Sequence, residues 1–242
     1  MSFFIAYAKQ AEAHIVTDSA SFTSDGKKVG QLVKAHPLMP KMGLLCGVGP
    51  ITPISRLAWE LEVEPGDFDA ACDSFQLILD RVWNNYLQEN SWATNVLDAV
   101  GNSSTADGQR YCALALVGYS ERHQSCVVFG GECGPDGVAV SGHKAPIEAF
   151  SPKPANASFP KKPQLPKDLL TVAKQQHKML GDEGRALGWK HSCGGGDIVA
   201  YRVSKFKIKS RIIAHFSTEL RDEPTAAKGS RQSPAALVQT HR

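Results

Sequence analysis

Apolar residues run almost unbroken from Phe3 to Ala8, which predicts a strand covered on both faces. The short Lys9-Gln10-Ala11 turn separates it from a second strand over 12–17. A loop rich in Ser, Thr, Asp and Gly follows to Gly26. A third strand is expected near 28–36, where alternation places Leu32, Lys34 and His36 on one face. A lysine among inward apolar neighbours is either a satisfied buried charge or a functional one. Residues 42–48 make a fourth strand, which Gly49-Pro50 ends.

The period then changes. Ile54, Leu57, Ala58 and Leu61 form one stripe of a helix over 51–62, and Phe75, Ile78, Leu79, Val82 and Tyr86 form the inward stripe of a second over 68–87. Residues 92–100 suggest a short third helical piece. Strands are expected at 111–119, 125–129 and 137–140, a helix at 165–187, and strands at 198–203 and 206–216 after Gly194-Gly195-Gly196. From the residues alone this order gives an α+β fold with a mostly antiparallel sheet. One domain over 1–217 is expected, with a proline-rich insertion at about 151–166 (Ser151-Pro152-Lys153-Pro154, Pro160-Lys161-Lys162-Pro163). The remainder, 218–242, lacks a periodic apolar face and is expected to be disordered.

Composition removes several classes of function. The 242 residues carry a net charge of only +3, with basic residues scattered, so no nucleic-acid partner is expected. The one basic strand, Lys205-Phe206-Lys207-Ile208-Lys209, alternates as a half-exposed strand does. No run reaches transmembrane length and no signal segment is recognisable, so no membrane partner is expected and the compartment is read as cytoplasmic. The six cysteines show no CxxC pair and read as buried free thiols in a reducing compartment. His191-Ser192-Cys193 lacks partners at metal-ligand spacing, so neither zinc nor a cofactor is expected.

The candidate chemistry is at the start of the chain. Ser2 is small enough to permit removal of Met1, which would leave a hydroxyl beside a free α-amine. Such an amine, with a reference pKa of about 7.7–8.0, can act as general base for its own hydroxyl. Asp18 follows Ser2 by sixteen residues and Lys34 follows Asp18 by sixteen. A lysine near the hydroxyl favours the alkoxide, and a carboxylate keeps that lysine placed and charged.

The stretch from Ser2 through Ile15-Val16-Thr17-Asp18-Ser19 to Lys34, then Gly43-Leu44-Leu45-Cys46-Gly47-Val48-Gly49, resembles the opening of proteasome-type β-subunits. These belong to the N-terminal-nucleophile (Ntn) hydrolases. The resemblance implies a four-layer αββα sandwich and cleavage of peptide or amide bonds. Ser2 would be the nucleophile, with Asp18 orienting Lys34, a backbone N–H near Gly47 to Gly49 binding the oxyanion, and Ser192 as a supporting hydroxyl. Ser in place of the family's usual Thr loses a rotamer-restraining methyl, so slower turnover is expected. The resemblance also implies a homo-oligomer such as a ring; nothing in the sequence identifies an unfoldase partner.

Two departures stand out. The prolines of 151–166 occupy the place of a family helix, and His191 stands where the family carries an acid ahead of Gly-Gly. They favour an alternative, a catalytically inactive proteasome-like scaffold or assembly subunit. A small-amide hydrolase is a third reading.

Overall fold

The computed structural model describes residues 3–22, 27–39, 41–89, 112–134, 137–144, 147–151, 154, 159, 163–186 and 188–220. Strand β1 (Phe4–Ala8) turns through Lys9, whose N–H donates to Glu12 O at 2.8 Å, into antiparallel β2 (Glu12–Asp18). A short hairpin follows, β3 (Ala20–Phe22) with β4 (Lys28–Gln31), then β5 (Ala35–Leu38) and β6 (Gly43–Val48). Helices α1 (Ile51–Val63) and α2 (Phe68–Glu89) come next, then β7 (Cys112–Ser120), β8 (Ser125–Gly134), β9 (Gly137–Lys144) and β10 (Ile147–Ser151). Helix α3 (Lys167–Ala186), β11 (Gly196–Ser204) and β12 (Lys207–Phe216) complete the order.

The long strands form two five-stranded antiparallel sheets, β10-β1-β2-β11-β12 and β5-β6-β7-β8-β9. The fold is therefore α+β with mostly antiparallel sheets. Side-chain alternation on β1 explains its unbroken apolar run. Phe4, Ala6 and Ala8, with Ala13 and Ile15, pack against Leu44, Cys46, Ala115, Val117 and Val128 of the other sheet. Phe3, Ile5 and Tyr7, with Val16, pack against Leu169, Val172, Ala173 and Leu180 of α3. The apolar stripes of α1 and α2 cover the remaining face, on Leu45, Leu114, Leu116 and Val127. A strand buried on both faces cannot alternate apolar with polar, and β1 does not.

Several expectations need correction. The strand predicted over 28–36 is two strands, with residues 32–34 crossing from the hairpin to the second sheet. Leu32 is 40% exposed while Lys34 is 7% exposed, so the two do not share a face. The loop expected before Gly26 contains β3. Strand β10 lies where prolines argued only for a break, and it pairs with β1 along Phe4↔Ser151 to Ala8↔Ile147. Order also passes the boundary expected at 217. Ser192 N–H donates to Thr218 O at 2.8 Å, Leu220 N–H donates to Lys190 O at 3.3 Å, and Thr218 is buried. The helical piece at 92–100, most of the 151–166 insertion and the tail from 221 lie outside the described residues. Among the described residues no helix is long and apolar enough to cross a membrane.

His36, opposite Leu45, carries a buried Nε2 that has no hydrogen-bond partner among the described residues. Burial holds its pKa below the ordinary value of 6.5. The unfolded chain therefore takes up the proton first as pH falls. This contribution to stability is whole above about pH 6.5 and is lost as pH drops towards the folded-state value, at up to about 1.4 kcal/mol per pH unit. His36→Leu is expected to flatten that slope. Denaturant midpoints for both proteins between pH 7 and 5 test this, and parallel pH curves would contradict it.

Candidate active site

Asp18 ends β2, opposite Ile198 of β11, and is 1% exposed. A carboxylate so buried needs partners, and three separate segments supply them. Phe3 N–H donates to Oδ1 at 3.0 Å, Gly195 N–H donates to Oδ2 at 2.9 Å, and the Lys34 ammonium lies 2.9 Å from Oδ2. Lys34 Nζ also donates to the carbonyl of Ala20, two residues past Asp18. Desolvation pulls the Lys34 pKa below its usual value, and the charge and hydrogen bond of Asp18 push it back up. The ammonium is thus a buried cation whose nearest counter-charge sits beside the first described residue of the chain.

The segment leading into β11 closes the site from behind. Ala20 N–H donates to Gly195 O at 2.9 Å, and the Ser19 hydroxyl accepts from Asp197 N–H at 2.9 Å. Gly195 has φ +141° and Gly196 has φ +77°. A Cβ at Gly195 would also stand 3.2 Å from Phe216 O. The glycine run is thus what lets the backbone turn its N–H onto Asp18. Gly195→Ala is expected to cost about 1–3 kcal/mol through strain at positive φ. Thermal unfolding checks this, and an unchanged midpoint would show that the turn tolerates a side chain.

Of the residues singled out from sequence, Asp18 and Lys34 are brought together; Ser2 lies outside the described residues. Gly47 is buried in β6, and its N–H is directed at Lys34 O at 3.4 Å. The chain itself engages that donor at this long distance. Ser192 is buried, and its hydroxyl accepts from Gly194 N–H at 3.4 Å within its own turn. His191 places its ring 6.4 Å from that of Phe22, and its Nδ1 is buried without a hydrogen-bond partner among the described residues. Sequence reasoning missed the backbone contributors Phe3 N–H, Gly195 N–H and Ala20 C=O. The three successive glycines were the available signal for the second.

Among the described residues no group of three or more His, Cys, Asp or Glu is placed to hold a metal ion. No protein-family model matches the chain, and no curated protein sequence matches it.

Proposed function

We propose that this chain is a proteasome-like Ntn hydrolase that cleaves peptide or amide bonds with Ser2 as nucleophile once Met1 is removed. The observation that carries the reading is the Asp18 carboxylate, which holds both the Lys34 ammonium and the Phe3 N–H. Ser2 is joined covalently to that same nitrogen, so connectivity attaches the nucleophile to the segment that Asp18 anchors. In this mechanism the α-amine accepts the hydroxyl proton as the oxygen attacks the carbonyl carbon, and returns it to the leaving amine. The Lys34 charge favours the alkoxide, and Asp18 fixes where that charge sits. The oxyanion falls to the backbone N–H of Gly49, just beyond the end of β6 and the engaged Gly47. Water then attacks the acyl-enzyme by the same route.

The three cores support the finer fold reading, a four-layer αββα sandwich of helix pair, sheet, sheet and helix. The second reading, an inactive scaffold or assembly subunit of the same fold, is favoured by His191, whose buried Nδ1 takes the place of the family's acid. Both readings include assembly into a homo-oligomer. Hydrolysis of short fluorogenic peptide amides, by chain lacking Met1 and by chain retaining it, separates them. Catalysis requires turnover only where intact mass shows Met1 gone; equal rates in both forms would remove the α-amine from the mechanism.

A further inference from the structure

Cys112 and Cys133 are directly opposite each other on the antiparallel strands β7 and β8. Directly paired residues have Cα atoms about 4.5–5.5 Å apart, inside the range of about 4.4–6.8 Å that a disulfide spans. Both face the core under α1 and α2, and both are nearly inaccessible. The other four cysteines are not so placed. Cys46 and Cys126 lie on β6 and β8 with β7 between them, opposite Ala115 and Tyr119. Their backbones are separated by two strand spacings, about 9.5 Å, and by four residues along the strand as well, too far for a bridge. Cys72 neighbours Arg122, at the turn that joins the far ends of β7 and β8. Cys193 belongs to the core beneath α3.

We propose that Cys112 and Cys133 are a modification site, a dithiol that hydrogen peroxide converts to an intramolecular disulfide. One thiolate attacks peroxide, giving a sulfenic acid and, with a proton, one water. The second thiol then attacks that sulfur and displaces a second water. Two thiols and one peroxide thus become one disulfide and two waters. Access comes from position: Cys112 is the first residue of β7 and Cys133 the last but one of β8. Ladder ends open at lower free energy than ladder centres, so this pair is reached without unfolding the domain. The neighbouring Cys133 thiol and burial raise the Cys112 pKa well above its ordinary value, so the thiolate is scarce at neutral pH. The reaction is therefore slow at pH 7 and accelerates about tenfold per pH unit.

The test uses the full chain, incubated with hydrogen peroxide, unfolded, alkylated and mapped without reduction. The expected result is loss of two of the six thiols, a single link between the peptides carrying Cys112 and Cys133, and recovery of both thiols with dithiothreitol. C133S is expected to form no link and to keep its remaining thiols alkylatable, save for oxidation at Cys112. A link between other cysteines, a link between two chains, or conversion of Cys112 to higher oxides in wild type without a link would overturn the proposal. So would six intact thiols at a peroxide dose that cross-links a dithiol peptide control.

Discussion

Ser2→Ala is expected to abolish amide hydrolysis, a loss of at least about a thousandfold, while leaving thermal unfolding within about 0.5 kcal/mol of wild type. The two halves of this result come from different parts of the chain. The chemistry rests on one oxygen, and nothing else in the mechanism replaces it. The fold rests on β1, whose alternate side chains enter two separate cores from Phe3 onward. Lys34→Ala is expected to be nearly as damaging to turnover, because the lysine supplies the positive potential that favours the alkoxide. It differs in a measurable way: it also strands the buried Asp18 carboxylate and so lowers the unfolding midpoint. Full activity in purified Ser2→Ala would place any chemistry elsewhere.

The largest effect on stability is expected at Asp18. Asp18→Ala leaves the Lys34 ammonium buried without its counter-charge and takes the acceptor from Phe3 N–H and Gly195 N–H. Breaking a buried pair from one side costs about 3–5 kcal/mol. For a domain of this size that is a fall in Tm of roughly 6–20 °C. Much of the loss comes from the uncompensated cation, so adding Lys34→Met to Asp18→Ala is expected to restore part of it. The double-mutant cycle therefore predicts a coupling well above the additivity error of about 0.5 kcal/mol. Additive losses would mean that the two charges act independently, contrary to their 2.9 Å separation.

Periodicity revealed what packs, and revealed less of what crosses. The double-sided burial of Phe4–Ala8 was legible because a strand between two cores has no polar face to show. The inward stripes of α1 and α2 were legible for the converse reason. Residues 32–34 were not: alternation assumes one continuous strand, and here Lys34 follows its ion pair with Asp18 while Leu32 turns outward. β10 was hidden because prolines downstream of it read as a break, whereas its pairing with β1 is set by tertiary contact. In the site, the side chains Asp18 and Lys34 could be chosen by residue type and spacing. The backbone donors could not, since a peptide N–H at Phe3 or Gly195 carries no letter of its own. Nor could the partner of the Gly47 N–H be read, since it is directed to a carbonyl that only the folded chain brings near.

Covalent trapping tests the central claim most directly. The full chain, with Met1 removal verified by intact mass, is incubated with a proteasome-type covalent inhibitor and mapped by peptide mass spectrometry. The account predicts one adduct per chain, on Ser2, absent from Ser2→Ala and strongly reduced in Lys34→Ala. A chain free of Met1 that remains unmodified, or one modified at another residue, would contradict it.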